Sequence, residues 1–572
     1  MQNAAVARMF DEIADYLELA GDNPFKIRAY RRAAEAITTY NAPIEDAAEA
    51  GTLEEIEGLG QATADKTREF LATGRVRFLE RLKEQYPASL LELIRVPNLG
   101  PKKVALLYRE RNISSIADLK TALESSALEG LSGFGPKTIQ NLQSGLTRLA
   151  QMTTRLPLDD ALVLARQISG LLATSPSAAK IEIAGSVRRG CDTIGNINLV
   201  AASENAPELI EAFVSLPPVL GLNERSETDA VVHVRSGMEV RLHCALGAAF
   251  GAQLFHATGS ASHVATAAQR AAALGLALRP DGLYRSDERV AVEEHDIYQA
   301  LGVPFIEPEL RENTGEWEAA AAGQLPRLVQ VADLRGDLHS HSTWSDGGFS
   351  IRQMVTAARE RGYSYLAVTD HSKALKMTNG LDARRLREQG KEIAELQAEF
   401  ADFKILRGVE CDILRDGTLD LDDDILHELD IVVVSIHSGF NLDEATQTAR
   451  MIRAIAHPAV DIVGHPTGRV LGLRPGYEVN VSALIEAARE TGTALEINSS
   501  ERLDLCDTHA RAARDAGVPL AIDSDAHSTR MLPNVEFGVL TARRAWCRAA
   551  DILNTRTTEE LMQWLNRPQS RP

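Results

Sequence analysis

The sequence is poor in the features that define several common protein classes. Its 572 residues include only five cysteines, and no two of them are close in sequence. This spacing argues against a disulfide framework or a zinc knuckle and fits a reducing cytosol. No hydrophobic run approaches the ~20 residues that a membrane helix needs. The N-terminal segment has acidic residues among its apolar positions, which is typical of an amphipathic helix and not of an export signal.

The chain also lacks an excess of basic residues. Its 61 lysines and arginines are outnumbered by 80 acidic residues, so the net charge is -19. Proteins that coat nucleic acid are usually basic, and the charge is therefore weak evidence against extensive nonspecific coating. Local basic sites remain compatible with it, and acids that bind cations count as negative in the total. The composition, 44% hydrophobic and 25% charged, is that of an ordinary soluble globular protein.

The pattern of the sequence changes several times along the chain. At roughly 100–200 residues per domain, the length predicts three to five domains. Residues 1–150 predict helices separated by glycine turns, residues 151–245 an α/β segment, and residues 246–315 helices again. Residues 316–332 predict a linker. From residue 333 to 572, short apolar strands alternate with helices about seven times, which favours a parallel β/α barrel.

The predicted barrel strands end in side chains that bind metals. In such a barrel the C-terminal strand ends meet at one face, where the chemistry of these folds lies. Two imidazoles separated by one residue on an extended strand point the same way and can hold one ion. Mixed imidazole and carboxylate ligands suit Zn, Mn or Fe better than Ca or Mg. The predicted ligands are His339, His341, Asp346, His371, Glu410, His437, His465, Asp525 and His527.

Such a cluster predicts the hydrolysis of phosphate esters. Metal ions ~3.5–4 Å apart can bind a phosphate between them, lower the pKa of a bridging water and offset charge on the leaving oxygen. A single histidine is more often a hydrogen-bonded core or surface residue, and we assign that role to His427, His457 and His509, which fall away from strand ends. Arg469, in the segment GHPTGR, is a candidate phosphate clamp, with a surface arginine as the alternative.

A second pattern occurs three times in the N-terminal region, once in a predicted domain 1–88 and twice in a predicted domain 89–150. Each copy is an apolar residue, a glycine turn and a helix. Such a turn lets backbone N–H groups and a helix N-terminus face a phosphate without reading sequence. One copy is usually only a turn, but three copies followed by lysine favour DNA contact. The predicted DNA-binding residues are Gly58, Gly60, Lys66, Gly100, Lys102, Lys103, Gly133, Gly135 and Lys137.

The C-terminal third resembles the PHP (polymerase and histidinol phosphatase) family. The resemblance is carried by the segments GDLHSHSTWSDG, VTDHS, GVECDI, SIHS, GHPTGR and DSDAH. It implies a distorted seven-stranded β/α barrel with a trinuclear metal site. All nine ligand positions of that family are intact here, and Glu410 stands at the position that bridges the ions.

The whole chain resembles the bacterial family X DNA polymerases. The segments DNPFKIRAYRRAA, AGSVRRG, HATGSASH and DIYQALGVPFIEPELRE extend the resemblance from the N-terminal helices to the PHP region. This implies a multidomain α/β protein with helix-hairpin-helix regions, a nucleotidyltransferase-like palm over 151–245, a thumb over 246–315 and a distorted (βα)7 barrel over 333–572. The part from 89 to 150 corresponds to a fingers-like domain with two helix-hairpin-helix turns.

The predicted palm departs from the family pattern. Family X polymerases hold two Mg²⁺ ions with three palm aspartates, two of them in a G-D-x-D step. This sequence has Asn196 and Asn198 in that step, and Arg241 at the third position. Three carboxylates would bring a charge of about -3, whereas two amides and a cation bring about +1, and Mg²⁺ prefers anionic oxygen. We therefore expect no Mg²⁺ pair and a polymerase activity that is absent or very weak, although Ser186 and Arg189 could still hold a nucleotide phosphate.

These features predict a DNA repair protein with an active PHP site and an inactive palm. Two or three Mn²⁺ or Zn²⁺ ions, with Glu410, His437 and Arg469 as catalytic residues, would give a metal-dependent DNA phosphoesterase. The family resemblance implies that it acts as a 3′→5′ exonuclease. Removal of 3′-phosphates and cleavage at abasic sites are further activities that the resemblance implies. The expected partner is gapped, nicked or 3′-ended duplex DNA, without a membrane partner, at a cytoplasmic, nucleoid-associated location.

Three alternatives remain open at the level of the sequence. The first is an active gap-filling polymerase with an associated 3′→5′ exonuclease, and the second is a non-enzymatic clamp that bridges DNA ends. The third, a small-molecule phosphatase, leaves the residues before the barrel unexplained. Lys66 falls where related enzymes have a lysine that forms a Schiff base with a 5′-deoxyribose phosphate, and a solvated helix lysine is the alternative.

Overall fold

The computed structural model divides the chain into two compact units, Met1–Thr153 and Thr154–Pro572. No helix among the described residues is both long enough and apolar enough to cross a membrane. The structure describes residues 3–39, 44–56, 58–87, 89–94, 96, 99–125, 127–128, 130–131, 133–135, 137–139, 142–143, 146, 155–234, 237–375 and 378–567.

The first unit is helical in its described part, as the glycine turns predict. One apolar cluster runs from Val6 to Leu146, so the predicted domains 1–88 and 89–150 share a single hydrophobic core. Proline at the first position of one helix, Pro101, fits a site that needs no backbone donor. The helices are α1 (Asn3–Ala20), α2 (Pro24–Thr39), α3 (Ile44–Ala50), α4 (Gln61–Thr73), α5 (Arg77–Gln85), α6 (Ser89–Ile94), α7 (Pro101–Arg111) and α8 (Ile116–Glu124).

The second unit begins with the predicted palm, a five-stranded mixed sheet with helices. The strand order is β2-β4-β7-β6-β5, with β4 and β7 parallel and the other pairs antiparallel. The apolar segments IEIA, INLVAA and AVVHV, which the sequence pattern indicates as strands, lie in β2, β4 and β6. The elements are β1 (Leu156–Pro157), α9 (Leu158–Leu172), β2 (Lys180–Ala184), α10 (Gly185–Arg188), β3 (Thr193–Ile194), β4 (Asn196–Ala202), α11 (Ala206–Val214), β5 (Val219–Arg225), β6 (Asp229–Val234) and β7 (Glu239–Ala245).

The thumb contains a small sheet that the sequence pattern did not indicate. We predicted only helices over 246–315, but three antiparallel strands lie between two of them. These strands have three or four residues each, which is too short for an alternating pattern to be visible. The elements are α12 (Phe250–Thr258), α13 (Ala261–Ala273), β8 (Ala277–Arg279), β9 (Gly282–Arg285), β10 (Glu288–Ala291) and α14 (Glu294–Ala300).

Residues 322–330 of the predicted linker over 316–332 form no helix or strand, but the first part of this segment is folded. It forms α15 (Glu316–Ala321), and Trp317 is fully buried in the thumb core. Glu316 is also buried, and its carboxylate lies 2.7 Å from Nδ1 of His263. An alanine-rich segment with one tryptophan looks like a linker in sequence, and its burial becomes visible only when the thumb core is assembled.

The C-terminal part is a nearly closed parallel barrel of seven strands in sequence order, as predicted. A bridge between Ser340 and Ala526 joins the chain after the first strand to the chain after the last. The strand Ile431–Ser435, IVVVS, shows why the barrel forms, since β-branched residues buried on both faces suit a parallel strand. The strands are β11 (Gly336–Asp337), β12 (Tyr365–Val368), β13 (Lys404–Asp412), β14 (Ile431–Ser435), β15 (Ile462–Val463), β16 (Ala494–Asn498) and β17 (Leu520–Asp523).

Helices cover the outside of the barrel, except the last helix, whose Leu561 packs in a separate cluster with alternate strand residues such as Val433. Serine or threonine caps with a Gln or Glu three residues later start two of them, at Ser350 and Thr557. The helices are α16 (Ile351–Glu360), α17 (Ala383–Glu399), α18 (Asp423–Leu426), α19 (Glu444–Ile455), α20 (Val481–Thr491), α21 (Asp507–Asp515), α22 (Val535–Arg544) and α23 (Thr558–Leu565).

Ion pairs connect the palm, the thumb and the barrel within the second unit. Glu312, in the thumb, accepts hydrogen bonds from Arg189 of the palm at 2.9 Å and from Arg544 of α22 at 2.8 Å. Arg469 of the barrel donates to Asp192 of the palm at 2.9 Å. These side chains are at most about two-fifths exposed. The palm loop after α10 is therefore held against the barrel.

A buried ion pair between the palm and the thumb gives a stability prediction. Glu294 accepts two hydrogen bonds from Arg188 at 2.8 Å and one from Arg311, whose side chain is fully buried. In Glu294→Gln the Arg311 charge loses its carboxylate partner, so we expect a loss of about 3–5 kcal/mol in unfolding free energy. Chemical denaturation measures this, with the exposed Glu288→Gln as the control. Equal stability of the two variants would contradict the prediction.

Candidate metal centre

All nine predicted metal ligands lie at one end of the barrel. Glu410 lies within β13, near its C-terminal end, and the other ligands follow the ends of β11, β12, β14, β15 and β17. This is the arrangement expected when parallel strands end on one face. The fully buried members include His339, His341 and Glu410, whereas Asp346 and His527 are about 30% exposed at the side chain. The cluster is therefore deep, with one open side.

The carboxylate of Glu410 is at the centre of the cluster. Imidazole nitrogens approach both of its oxygens, three at Oε2 and two at Oε1. The distances are 3.4 Å for His339 Nε2, 3.6 Å for His341 Nε2, 2.7 Å for His371 Nδ1, 3.3 Å for His437 Nε2 and 2.9 Å for His465 Nε2.

Seven of the nine predicted ligands form three overlapping groups, each small enough to hold one ion, and His465 and Asp525 belong to none of these groups. Within each group the ligand atoms lie within 4.8 Å of one another. Glu410, His341 and His371 each belong to two groups, which is what neighbouring ions with shared ligands require. The groups are His341, Asp346, His371 and His527; His339, His341 and Glu410; and His371, Glu410 and His437.

Ligands outside the Glu410 contacts complete the cluster. Oxygens of Asp346 lie 3.6 Å from Nε2 of His371 and 3.4 Å from Nε2 of His527. Oδ1 of Asp525 lies 3.1 Å from Nε2 of His341.

Buried polar atoms without hydrogen-bond partners show that the cluster suits metal ions. Nε2 of His339, Nδ1 of His371 and Oε2 of Glu410 are buried and make no hydrogen bond of acceptable geometry among the described residues, although the last two atoms are only 2.7 Å apart. Such orphaned atoms are costly unless something else contacts them. Here they face one another across a few ångströms, so a cation between them would satisfy all three. The set of imidazoles and carboxylates fits Mn²⁺, Zn²⁺ or Fe²⁺.

The charges in the cluster shift the pKa values of its members strongly. Burial opposes the ionisation of Glu410, but His371, His437 and His339 nevertheless hold its pKa well below the usual range. Burial also disfavours the charged form of His371, yet Glu410 and Asp346 raise the pKa of His371 to about 10. Without metal, protons therefore occupy nitrogens that a metal would need.

The exposed side of the cluster behaves in the same way. Burial disfavours charge on His527, but Asp346 and Asp525 raise the pKa of His527 to about 9. His341 is different, because burial and the nearby imidazoles of His527 and His371 lower its pKa to about 3. His341 is therefore neutral and able to bind a metal at neutral pH.

Buried carboxylates behind the ligands were not predicted from the sequence. Asp370 accepts hydrogen bonds from the backbone and hydroxyl of Ser342 at 2.8 and 2.6 Å and from Gln389 at 2.6 Å, and so fixes the loop before Asp346. Oδ1 of Asp412 lies 3.4 Å from Nδ1 of His437. Both are acids beside a predicted ligand at a strand end, and that adjacency was the available signal.

The strand β16 supplies none of the nine ligands but two further polar side chains. Glu496 is fully buried, and its Oε1 lies 2.7 Å from Nδ1 of His339. Asn498 donates to Oδ2 of Asp525 at 3.1 Å. The segment TALEINSS has the same pattern of a strand ending in polar residues that led to the ligands, so these residues could have been found.

Arg469 contacts the backbone and the palm. Its Nε donates to the carbonyls of Arg502 and Leu503 at 3.1 and 3.0 Å, and Nη1 donates to Asp192. Arg502 is the arginine that approaches the ligands, with Nε 3.8 Å from Oδ2 of Asp525. That Arg469 binds a phosphate stays a prediction, and in this structure its guanidinium donates to two backbone carbonyls and to Asp192 instead.

The palm residues that we singled out lie side by side on the sheet. Asn198 on β4 is the register partner of Arg241 on β7, and Nδ2 of Asn198 donates to Oδ1 of Asn196 at 3.0 Å. Among the described residues, the groups of His, Cys, Asp and Glu that could hold a metal all lie in the barrel. Arg189 donates to Glu312 and to the carbonyl of Thr258, so a phosphate there would compete with internal partners.

Ser186 lies in α10, directly before the palm loop that carries Arg189. Its side chain is partly buried.

The glycine turns of the first unit precede helices as predicted. Gly60 and Gly100 lie directly before α4 and α7. Gly58 has a φ of +96°, and a Cβ there would lie 3.0 Å from the Cβ of Ala36, so only glycine fits without strain. Gly133 has a φ of +84°, and Gly135 follows it in the third turn.

The lysines lie on the helices that follow the turns. Lys66 on α4 packs over the rings of Tyr30 and Phe78, and burial lowers its pKa. Lys103 on α7 lies over the ring of Phe134. Lys137 is exposed. Lys102 is also on α7, but its side chain lies outside the described part of the structure.

Competition between protons and metals gives a prediction about pH. The pKa values of His371 and His527 are raised to about 10 and about 9. Their protons therefore stabilise the metal-free fold fully below the ordinary histidine pKa of about 6.5, and this stabilisation is lost as the pH rises through the raised values. Metal must displace these protons, so we expect the increase in Tm upon adding Mn²⁺ to grow from about pH 6.5 to about pH 8.5. Thermal denaturation of chelator-treated and metal-loaded protein measures this. A pH-independent increase would contradict the prediction.

Family comparisons agree with the geometry. Four family models match: a helix-hairpin-helix domain over residues 1–76, a SAM-like helix-hairpin-helix tandem over 90–148, a DNA polymerase beta thumb over 253–312 and a PHP domain over 337–500. The barrel is similar to probable phosphatases. One from Thermoanaerobacter sp. (strain X514) is 30% identical over 231 residues, covering 38% of this chain and 89% of the relative. YcdX of Escherichia coli O1:K1 / APEC is 31% identical over 213 residues, covering 34% and 78%.

A further relative matches along its entire length. The DNA polymerase/3′-5′ exonuclease PolX of Bacillus subtilis (strain 168) is 38% identical over 573 residues, which covers 99% of this chain and 100% of the relative. The order of helix-hairpin-helix regions, thumb and PHP barrel is the order that the sequence predicted. With this identity over the full length, the chain belongs to the PolX family.

Proposed function

We propose that this protein is a DNA repair enzyme that removes nucleotides from DNA 3′ ends as a Mn²⁺- or Zn²⁺-dependent 3′→5′ exonuclease. The observation that carries the proposal is the set of three overlapping ligand groups around the buried Glu410. The relative from Bacillus subtilis has this activity in its name. Related activities of the same site would be removal of 3′-phosphates and cleavage at abasic sites.

Bound ions would hold the phosphate, lower the pKa of a water and offset charge on the leaving oxygen. The chain contributes the geometry. Glu410 is shared by two ligand groups and would keep the ions close together. The two ring nitrogens of His437 face Glu410 and Asp412, at 3.3 and 3.4 Å, so its part in the reaction would be to hold a metal ion. Arg469 would bind a DNA phosphate by exchanging Asp192 for it.

We also propose that the palm no longer polymerises DNA. Asn196, Asn198 and Arg241 occupy the positions where the family places its metal-binding aspartates. Two observations support this assignment: Asn198 and Arg241 are register partners, and the two asparagine amides bond to each other. A pair of Mg²⁺ ions would meet neutral amides and a guanidinium, which offer no anionic oxygen. The palm would then position DNA for the barrel.

The partner is proposed to be gapped, nicked or 3′-ended duplex DNA. Turns that expose backbone amides before α4 and α7, with lysines on those helices, suit phosphate contacts without sequence readout. The cytoplasmic, nucleoid-associated location stays a prediction.

The nuclease activity is tested on a 5′-labelled gapped duplex with MnCl₂. We expect wild type to give a ladder of shortened labelled products, unchanged by the four dNTPs. His339→Ala removes a fully buried ligand, so its rate should fall by more than about 100-fold. His427→Ala, at an exposed histidine of the same barrel, is the matched control.

The pattern of products distinguishes the alternatives. Immediate release of a labelled mononucleotide would indicate removal from the 5′ end and contradict the proposed polarity. DNA binding that survives metal removal, without cleavage in Mn²⁺, would favour a clamp. Cleavage by His339→Ala at the wild-type rate would place the activity outside the barrel.

The inactive palm is tested by restoring its carboxylates. We expect no primer extension by wild type in Mg²⁺ and dNTPs, and extension by the triple variant Asn196→Asp, Asn198→Asp, Arg241→Asp, because three carboxylates would hold the ion pair. Both proteins should carry His339→Ala so that the primer is not degraded. Asn223→Asp, on the edge strand β5, is the control. Extension by the protein with the native palm would overturn the proposal and favour an active gap-filling polymerase.

A further inference from the structure

The strand β16 is exceptional in the barrel, because it carries none of the nine predicted ligands. It instead places Glu496 directly beneath the cluster, with a side chain that is fully buried. A buried carboxylate is costly unless it receives hydrogen bonds or faces a cation. Glu496 belongs to none of the three ligand groups. Its role must therefore be found in the groups that contact it.

Three donors converge on Glu496. Nδ1 of His339 lies 2.7 Å from Oε1, while the backbone N–H of His465 and the amide of Asn498 donate to Oε2 at 2.5 and 3.1 Å. Two of the three belong to predicted metal ligands that follow different strands, β11 and β15. One side chain therefore holds two ligands in place.

The contact with His339 decides which ring nitrogen carries the proton. A carboxylate only accepts, so Nδ1 must be the protonated nitrogen. Nε2 is then the nitrogen left to bind a metal, and this atom is the one that faces Glu410 and Asp525, at 3.4 and 3.6 Å, without a hydrogen-bond partner among the described residues. The tautomer that Glu496 selects is the tautomer that can bind a metal.

The contact with His465 holds an unusual backbone conformation. His465 has a φ of +28°, a region that side-chain-bearing residues rarely occupy. Its N–H bonds to Glu496, and its Nε2 lies 2.9 Å from Oε1 of Glu410. The bond to Glu496 therefore supports the turn that aims this imidazole at the centre of the cluster.

We infer that Glu496 is a positioning residue of the metal centre: it fixes the tautomer of His339 and the backbone of His465, and so sets the affinity for the metal. This inference rests on the proposed metal-dependent function. A carboxylate behind a metal-binding histidine orients the ring and raises its basicity, and its loss typically weakens metal binding 10–100-fold.

The isosteric substitution Glu496→Gln separates this role from simple packing. A glutamine amide has one acceptor and one donor end. If its NH₂ faces His339, the proton of that imidazole moves to Nε2 and blocks the lone pair. If the NH₂ faces His465, it points at the backbone N–H of His465. Two donors then face each other at the position where Oε2 of Glu496 now accepts a hydrogen bond. Either orientation damages one ligand while the volume of the side chain is unchanged.

The experiment compares the full-length wild type, Glu496→Gln and Glu501→Gln. The last variant makes the same chemical change at an exposed glutamate shortly after β16. Chelator-treated proteins are titrated with MnCl₂ by calorimetry, and their circular dichroism is compared. We expect the affinity for at least one ion to fall 10–100-fold in Glu496→Gln alone, with unchanged secondary structure. Nuclease activity should return as MnCl₂ is raised, because the ligands themselves remain.

A second measurement observes the proton of His339 directly. In wild type loaded with Zn²⁺, proton NMR should show a downfield imidazole N–H for His339, assigned by its Nδ1 coupling and its loss in His339→Gln. Metal binding by Glu496→Gln with wild-type affinity, or a proton on Nε2 of His339, would overturn the inference. If metal binding depends on Glu496 but the protein does not cleave DNA, the proposed function would be wrong and the inference about Glu496 would stand.

Discussion

The carboxylate of Glu410, buried in the barrel and surrounded by imidazoles, is the constraint on which the rest of the site depends. A buried negative charge requires compensation, and five histidine nitrogens lie within 3.6 Å of its two oxygens. In the absence of metal this compensation comes from protons, which is why the pKa of His371 is raised to about 10. Divalent ions would provide the same compensation more compactly. Protons in the metal-free form and divalent ions in the metal-bound form would thus both compensate the buried charge of Glu410.

The strands of the barrel support this cluster in two different ways. Six strands bring the ligands to one face, while β16 brings Glu496 and Asn498 beneath them. Asp370 likewise holds the loop before Asp346 in place, and Asp412 does the same for the imidazole of His437. Ligands held by buried hydrogen bonds lose little freedom when they bind an ion, which favours tight binding.

The palm and the thumb are attached to the barrel through charged residues. Arg469 follows the ligand His465 closely in sequence and reaches Asp192 in the palm loop, and Arg544 and Arg189 share Glu312. None of these ion pairs involves Asn196, Asn198 or Arg241. The loss of Mg²⁺ binding that we propose for the palm would therefore leave this packing intact.

The sequence by itself determined the order of the structural regions, the seven-stranded barrel and the convergence of the nine ligand candidates. These follow from local patterns, because strand ends in a parallel barrel must meet at one face. It did not show the small thumb sheet, the burial of Trp317 in the supposed linker, or the partners of Arg469. Only the tertiary structure decided these, and with them the role of Glu496. Each depends on atoms far apart in the chain, such as Glu496 and His339, whose distance no local pattern encodes.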